Sequence, residues 1–229
     1  MPTASPPAAP DAVTADVQHF FDGYAADFDS IYGHARPRNA FERFVDRTFR
    51  KSMFLRFEEV LRHTAKPEIR SVLDVGCGSG RYVVEFLRQG KEVVALDIAR
   101  EMLDLAEKTI REAGVGGEVA FVHAPYLDYA PGRTFDAAVL MGFFDYIREP
   151  APVLAKLGRE VTREVYMSFP KAGGPLAWQR AVRYRLRKCP LYLYTRPQVE
   201  GLLREAGWAG RYTITEWGRE LFVKVDLRR

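Results

Sequence analysis

The sequence predicts an α/β fold in which a doubly wound, seven-stranded and mostly parallel sheet follows a group of N-terminal helices. From residue 71 onward, short β-branched runs alternate with helical stretches, as in parallel strands joined by crossover helices. The last two strands are separated by a hairpin spacing, which makes the C-terminal strand antiparallel. The predicted strands are 71–75, 92–97, 119–123, 135–141, 163–169, 212–217 and 221–227, and the predicted helices are 81–89, 100–113, 151–160 and 196–206.

The N-terminal part divides into a tail and a helical segment. Residues 1–10 mix proline with small residues that have little to bury, so we expect a disordered tail. Apolar residues then recur at helical spacing, which predicts two or three helices before the first strand. We interpret residues 11–66 as a helical cap on a single domain that spans residues 11–229.

Length and composition exclude several classes of protein. With 229 residues, 47% of them hydrophobic, the chain can bury the core of one domain. It has no apolar run of roughly 20 residues and no signal sequence, so we expect a soluble, cytoplasmic protein. The two cysteines and four histidines have no metal-ligand spacing, which predicts no metal site. A net charge of +4 is too modest to argue for nucleic acid.

A glycine-rich turn carries the main functional signal. The strand S-V-L-D-V runs into G-C-G-S-G and then a helix, so Gly76, Gly78 and Gly80 form a strand-to-helix turn. There a ligand can lie against bare backbone and a helix N-terminus. The next strand ends at Asp97, whose carboxylate would stand beside the same crevice and accept both hydroxyl hydrogens of a ribose.

The run D-V-G-C-G-S-G, residues 74–80, resembles the first motif of the class I S-adenosylmethionine-dependent methyltransferases, which share a Rossmann-like fold. The resemblance implies that S-adenosyl-L-methionine is the cofactor and S-adenosyl-L-homocysteine the product. It implies that Asp74 and the turn surround the methionine part, that Asp97 holds the ribose, and that Ile98 and Met102 pack adenine. Met102 also fits a plain inward-facing helix residue.

A nicotinamide-dependent oxidoreductase is the main competing interpretation. Those enzymes use G-x-G-x-x-G, whose third glycine allows close helix packing beside a diphosphate. Read from Gly76 that position is Arg81, and read from Gly78 it is Val83, so neither frame fits. The acidic Asp74 also suits a sulfonium or ammonium group better than a diphosphate.

The stretch F-V-H-A-P-Y-L-D-Y follows the third strand, where many family members carry an aspartate directed at adenine. This sequence has Ala124 there, so recognition would pass to backbone groups around Pro125 and Tyr126, with the Tyr126 ring available for stacking. Alternatively, Tyr126 packs in the core, or Asp128 supplies the carboxylate. The residues implied to contact the cofactor are Asp74, Gly76, Cys77, Gly78, Gly80, Asp97, Ile98, Met102, Pro125, Tyr126 and Met141.

Residues 133–150 resemble the fourth family motif, in which a strand ends at the sulfonium, and we expect residues 141–146 to border the methyl group. Asp145 and Tyr146 could orient or deprotonate an acceptor, although Asp145 also suits a helix cap. A hydroxyl, amine or carbon acceptor gains from a base, whereas a carboxylate or thiolate needs little. The candidate bases, in order, are Asp145, Tyr146, His34 and Tyr32.

A basic lid, residues 170–196, carries seven Lys or Arg and no acidic residue, with aromatics interleaved. Such a segment suits an acceptor with a carboxylate or phosphate on an apolar body, or contact with a membrane surface, while a solvated basic face is the plainer alternative. Gly173 and Gly174 offer a hinge. Residues 20–32 resemble the first helix of methyltransferases acting on quinones and porphyrins. The candidate acceptor-binding residues are Tyr24, Phe28, Phe144, Arg183, Arg187, Tyr192 and Tyr194.

Together these features predict a methyltransferase that acts on a small molecule of anionic or amphipathic character. A regulatory protein that binds S-adenosylmethionine without catalysis remains the alternative from a different class, because an intact glycine turn and Asp97 fit either. We predict no specific protein partner and disfavour nucleic acid, since only a local patch is basic.

Overall fold

Helices and strands alternate along a computed structural model of the chain, which describes residues 17, 18, 21, 40–174, 177, 179, 180, 184 and 189–228, with side chains of the first helix from residue 51 onward. The helices in this part are α1 (Ala40–Thr64), α2 (Arg81–Arg88), α3 (Arg100–Glu112), α4 (Pro150–Glu160) and α5 (Arg196–Glu205). The strands are β1 (Ser71–Val75), β2 (Glu92–Asp97), β3 (Val119–His123), β4 (Phe135–Leu140), β5 (Val161–Pro170), β6 (Tyr212–Trp217) and β7 (Glu220–Asp226).

The seven strands form one sheet in the order β3-β2-β1-β4-β5-β7-β6. The first five pair in parallel, and β7 runs antiparallel to both β5 and β6. The predicted fold class is therefore confirmed, and the structure adds that β7 is inserted between β5 and β6. The strand order reverses between β1 and β4. In doubly wound sheets, the crevice at the carboxyl ends of such a strand pair is where ligands bind.

The predicted boundaries of strands and of the later helices agree with the structure to within two residues. The largest difference is at β5, which begins at Val161 directly after α4, so no loop separates the two elements. One helix of the predicted N-terminal cap, α1, lies in the described part. The tail 1–10 and most of residues 11–39 lie outside the described residues.

Side chains that alternate along the strands pack into two apolar cores, one on each face of the sheet. Leu73 and Val75 of β1 join a cluster with α4 and α5, whereas Val72 joins a cluster with α1, α2 and α3. Asp74 shares the face of Val72 because residues two apart on a strand point to the same side. Its carboxyl group therefore projects to the side covered by α1 to α3.

The helices that border the sheet's carboxyl edge begin at defined points. α2 begins after Gly80 and buries one apolar face, which includes Val83 and Phe86. α5 begins after Thr195, whose backbone N–H donates to Oε1 of Gln198 at 2.8 Å in a capping box. This cap fixes the C-terminal end of the basic lid. Within the described part of the chain, no helix combines the length and apolar character needed to cross a membrane.

Candidate functional site

The glycine-rich turn is attached to the end of β2. The backbone N–H groups of Gly76 and Cys77 both donate to the carbonyl of Leu96, at 2.7 and 3.1 Å. Gly76, Gly78 and Gly80 have φ values of 71°, 52° and 75°, in the left-handed region that other residues adopt only with strain. The local sequence is therefore glycine-rich because the backbone requires it.

Each glycine has a different neighbourhood. A Cβ placed on Gly80 would lie 2.8 Å from the Cβ of Ala106, so this glycine lets α3 pack closely against the turn. A Cβ on Gly76 would lie 3.3 Å from Cδ2 of Phe143. A Cβ on Gly78 would meet nothing within 4 Å. The backbone at Gly78 therefore borders open space, which suits close approach of a ligand.

Asp97, at the end of β2, holds the turn from the other side. Its Oδ2 accepts the N–H of Gly78 at 2.9 Å, and its Oδ1 accepts the N–H of Ala99 at 3.0 Å. Burial raises the pKa of this carboxyl, and the two backbone hydrogen bonds act against that rise. Each carboxylate oxygen keeps a second lone pair, so Asp97 can still accept two ligand hydroxyl hydrogens.

Asp74 is the most unusual polar group of the site. The residue is 2% exposed, and no donor in the described part of the chain lies within hydrogen-bond distance of its Oδ2. Burial, and secondarily the charge of Asp97, raises the pKa of Asp74 to about 8. A buried carboxyl oxygen without a partner costs about 1–3 kcal/mol. The group fits a site whose cationic ligand supplies the missing partner.

The residues predicted to pack against adenine differ in how deeply they are buried. Ile98 is partly buried, and its carbonyl accepts the Nε2–H of His123 at 2.9 Å. Met102 is 1% exposed and Tyr126 is 3% exposed, and the Tyr126 hydroxyl donates to Glu160 at 2.9 Å. These two side chains are core residues, so the structure favours the packing alternative for both.

The segment between β3 and Tyr126 lies beside the end of β2. The N–H of Ala124 donates to the carbonyl of Asp97 at 3.2 Å, which places this segment beside the end of β2. Pro125 is partly buried and Asp128 is exposed. Recognition of a base by backbone groups around Pro125 therefore stays a prediction.

The segment after β4, residues 141–146, is called the β4 turn below. Met141 and Phe143 are partly buried, and Phe143 lies beside Gly76 as described above. Phe144 is fully buried and stacks on Phe169 with ring centroids 4.3 Å apart. This corrects the placement of Phe144 among acceptor-binding residues: it is a core residue, and Phe143 is the aromatic side chain of the β4 turn next to the glycines.

Asp145 is neither a helix cap nor a free base. α4 begins at Pro150 with Glu149 as its N-cap, whereas Asp145 forms a buried ion pair with Arg180 of the basic lid. Burial raises the pKa of Asp145, and the guanidinium of Arg180 acts against that rise. The pKa of Asp145 stays raised overall, but its Oδ2 is occupied by the guanidinium of Arg180, so Asp145 is a paired carboxylate and not the free base that the sequence suggested.

Tyr146 belongs to an aromatic group with Phe21 and Tyr184. The ring of Phe21 meets it edge-on with centroids 5.1 Å apart, and the hydroxyls of Tyr146 and Tyr184 are 3.4 Å apart. Burial, together with Tyr184 and Asp145, raises the pKa of Tyr146 well above its usual value. Its hydroxyl is therefore neutral at physiological pH. Tyr32 and His34, the other candidate bases, lie outside the described residues.

The tyrosines that follow the lid differ from each other. Tyr194 is 8% exposed, packs edge-on against Phe169, and donates its hydroxyl to the carbonyl of Ile147 at 2.8 Å. This side chain is a core residue, which corrects its placement in an acceptor pocket. Tyr192 is partly buried, and its backbone N–H donates to the carbonyl of Asp145 at 2.9 Å. The other candidates Tyr24, Phe28, Arg183 and Arg187 lie outside the described residues.

The described charges of the lid are all paired. Arg180 pairs with Asp145, Lys171 Nζ lies 2.6 Å from Glu216, and Arg196 Nε lies 2.9 Å from Glu200. The four remaining basic residues lie outside the described residues. Acidic residues from outside the lid therefore compensate three of its seven positive charges, which reduces the repulsion among these charges.

Fold and site together define a class of protein. At the switch point of the sheet, the glycine turn lies beside the Asp97 carboxylate and the buried Asp74 carboxyl group, whose Oδ2 has no hydrogen-bond partner among the described residues. Doubly wound sheets bind nucleotides at this point. Residues 72–164 match the family model described as a methyltransferase domain. Over this stretch the chain is similar to methyltransferase domains, in agreement with the motifs that resemble the class I S-adenosylmethionine-dependent methyltransferases.

Similar proteins have named activities. The chain is 38% identical over 90 residues to a magnesium-protoporphyrin O-methyltransferase of Rhodobacter capsulatus, a match that covers 38% of this chain and 39% of that protein. It is 28% identical over 197 residues to a ubiquinone biosynthesis O-methyltransferase of Sodalis glossinidius, covering 82% of this chain and 73% of that protein. The first match thus spans only about two fifths of that relative's length.

Solved structures share the fold. Magnesium protoporphyrin IX methyltransferase from Synechocystis PCC 6803, crystallised with S-adenosylhomocysteine, superposes with a TM-score of 0.75 at 17% identity, covering 94% of this chain and 99% of that one. The 1,6-didemethyltoxoflavin N1-methyltransferase of Burkholderia thailandensis superposes with a TM-score of 0.63 at 22% identity, covering 100% of this chain and 94% of that one. At these identities the likeness shows a common fold.

Proposed function

We propose that this chain is a methyltransferase that uses S-adenosyl-L-methionine and acts on a small molecule. The observation that carries the proposal is the buried Oδ2 of Asp74, which has no partner among the described residues and belongs to the strand that leads into the glycine turn, where the backbone at Gly78 borders open space. A carboxylate there fits the ammonium group of the donor. The match of residues 72–164 to a methyltransferase domain supports the same conclusion.

The residues that would hold the donor have separate tasks. Asp74 attracts the positive charge of the donor, and Asp97 accepts hydrogen bonds from the donor's ribose. Gly78 leaves room for the methionine part of the donor. Met141 and Phe143 border the turn on the side of β4. When bound, S-adenosylmethionine supplies an electrophilic methyl group. The chain's own residues need chiefly to align an acceptor and exclude water. The contacts among the rings of Phe21, Tyr146 and Tyr184 support a part for this aromatic group in both tasks.

For the acceptor we infer an amphipathic molecule that is methylated on a carboxylate oxygen. Asp145 is occupied by Arg180, and the neutral hydroxyl of Tyr146 donates hydrogen bonds rather than accepting a proton. The β4 turn therefore favours an acceptor that is already ionised at neutral pH, because such an acceptor has no proton to lose. The basic lid supplies charge for the anion, and the aromatic group supports an apolar body.

The test is a methyl-transfer assay with radiolabelled donor against a matched acceptor panel. The panel contains magnesium protoporphyrin IX, its dimethyl ester, a prenylated catechol and a long-chain fatty acid. We expect transfer to carboxylate-bearing members and none to the dimethyl ester. Preferred transfer to the catechol would overturn the carboxylate inference. Donor binding without transfer to any member would instead favour a non-catalytic binding protein.

A further inference from the structure

The hydroxyl group of Ser168 holds the second residue of the β4 turn. Ser168 lies near the end of β5 and is 2% exposed, and its Oγ accepts the backbone N–H of Gly142 at 2.8 Å. Gly142 has a φ of 76°, so the backbone leaves the path of the strand at this residue. A Cβ on Gly142 would meet nothing in the described part of the chain within 4 Å. The β4 turn is therefore anchored through its N–H group at a residue that also borders open space.

The Ser168 oxygen has a second donor, which comes from α1. Arg56 Nη1 donates to Oγ of Ser168 at 3.3 Å, and it donates to the two carboxylate oxygens of Glu220 at 2.9 and 3.0 Å. A serine hydroxyl oxygen has two lone pairs, so the N–H groups of Arg56 and Gly142 fill both of them. The position of this oxygen is therefore set by α1 and β7 as well as by β5.

The ion pair of Arg56 and Glu220 is buried, with exposed fractions of 11% and 7% for the two side chains. Taking two charges out of water costs free energy that their attraction offsets only in good geometry, so apolar side chains of similar volume often stabilise a fold equally well. A guanidinium and a carboxylate nevertheless interact in few geometries, which gives the pair a defined direction. The pair is therefore better suited to orienting the Ser168 hydroxyl than to stabilising the fold.

The anchored glycine lies between the two side chains of the β4 turn that border the donor side of the proposed site. Met141 and Phe143 flank Gly142 in the chain. Cδ2 of Phe143 lies 3.3 Å from the position of a Cβ on Gly76. Loss of the anchor would free the β4 turn to move relative to the glycine turn, whereas the hydrogen bonds that attach the glycine turn to β2 do not involve the serine hydroxyl.

We propose that Ser168 is a positioning residue for donor binding, whose hydroxyl keeps the β4 turn beside the glycine turn. The ion pair of Arg56 and Glu220 orients that hydroxyl. The donor part of this inference rests on the proposed function. Anchoring of the β4 turn does not, because it can be measured on the chain without any ligand.

The chain offers a matched control for this serine. Oγ of Ser71 accepts the backbone N–H of Asp136 at 3.0 Å, so Ser71 holds the beginning of β4 as Ser168 holds the turn after its end. Amide hydrogen exchange at Gly142, resolved by NMR, should be about tenfold faster or more in Ser168→Ala and unchanged in Ser71→Ala. The dissociation constant of S-adenosylhomocysteine, measured by calorimetry, should rise about fivefold in Ser168→Ala and less than about twofold in Ser71→Ala.

Two further variants separate positioning from stability. Ser168→Thr keeps the hydroxyl and should restore most of the donor affinity, which a general loss of stability would not explain. The double variant Arg56→Met/Glu220→Leu replaces the whole ion pair with apolar side chains, so it should stay folded and yet bind S-adenosylhomocysteine about threefold more weakly or worse. This double variant decides the matter if Ser168→Ala fails to fold, and affinity equal to that of the parent would remove the ion pair from the role.

Equal dissociation constants for Ser168→Ala and Ser71→Ala would overturn the inference, as would unchanged exchange at Gly142 in Ser168→Ala. If the parent chain itself binds no S-adenosylhomocysteine, the proposed function fails and the donor part of the inference fails with it. The exchange rate at Gly142 then still decides whether Ser168 anchors the β4 turn.

Discussion

The carboxylate of Asp97 accepts a hydrogen bond from the backbone N–H of Gly78 at 2.9 Å, so the end of β2 and the glycine turn are joined at the centre of the site. A second hydrogen bond, from Ala99 to the same carboxylate, fixes its orientation. The acceptor for a ribose is therefore oriented before any ligand arrives, which reduces the entropy lost on binding.

Asp97→Asn should weaken binding of S-adenosylhomocysteine by about 10- to 100-fold, which corresponds to losing a charged hydrogen-bond acceptor worth about 1.5–3 kcal/mol. Asparagine is preferred to alanine because alanine would leave two buried N–H groups without partners. Calorimetric titration measures the effect. Asp104→Asn on the exposed face of α3 is the control, and equal affinities for the two variants would remove Asp97 from the donor site.

Donor binding should release a proton from Asp74. With a pKa of about 8, this carboxyl group is protonated in the ligand-free protein at neutral pH, whereas a cationic donor favours its ionised form. Affinity should therefore rise between about pH 6 and pH 8. Titrations in two buffers of different ionisation enthalpy give the number of protons released. Asp74→Asn should abolish the release, and unchanged proton release in that variant would assign it to another group.

The same shift has a consequence for stability without ligand. The pKa of Asp74 is higher in the folded than in the unfolded chain, so its stabilising contribution is complete below the unfolded value and is lost as pH rises through about 8. Asp74→Asn should consequently melt at a higher temperature than the parent above neutral pH. Thermal melting over that range, with both proteins free of ligand, checks the sign.

Alanine substitutions at three glycines distinguish glycines that are needed for close packing from a glycine that is needed to leave space for a ligand. Gly90→Ala, at φ 70° with nothing near its Cβ, measures the strain alone, about 1–2 kcal/mol. Gly80→Ala should cost more in stability because its methyl would meet Ala106 at 2.8 Å. Gly78→Ala should match Gly90→Ala in stability but lose donor affinity. Chemical denaturation and calorimetry give both values, and unaltered donor affinity in Gly78→Ala would show that no ligand occupies that space.

Glu164→Gln should destabilise the fold by about 3–5 kcal/mol at neutral pH, the usual cost of breaking a buried charge cluster. Glu164 is 1% exposed and lies 2.8 Å from Lys66 and 3.6 Å from both Lys224 and Arg228. Burial raises its pKa, but these cations and the Tyr166 hydroxyl lower it overall. Its contribution is therefore present above the unfolded pKa and lost as pH falls through the folded value. Urea unfolding of both proteins should show a difference that shrinks in acid.

Periodicity and motif spacing predicted the sheet because both depend on local residue patterns. The glycines from Gly76 to Gly80 require positive φ, and the buried parallel strand before them requires a short, mostly apolar run, so both leave direct traces in the sequence. The choice between Phe143 and Phe144 was not accessible in this way, because both side chains pack against the cluster that holds α4 and α5, and only their burial differs.

Contacts between distant segments left no such trace. The pairing of Asp145 with Arg180 joins residues 35 positions apart, and nothing in either local pattern distinguishes a base or an exposed cation from a buried pair. Tyr194 likewise has the alternation of a pocket-lining residue, but its hydroxyl finds the carbonyl of Ile147. These assignments depend on how the lid folds back onto the β4 turn, which is set by tertiary packing.

One calorimetric comparison decides whether the switch point of this sheet binds the S-adenosyl donor. S-adenosylhomocysteine and NAD are titrated separately into the purified chain at neutral pH. We predict saturable binding of S-adenosylhomocysteine with one site per chain, lost in Gly78→Ala, and no heat of binding with NAD. Saturable binding of NAD with no response to S-adenosylhomocysteine would contradict it.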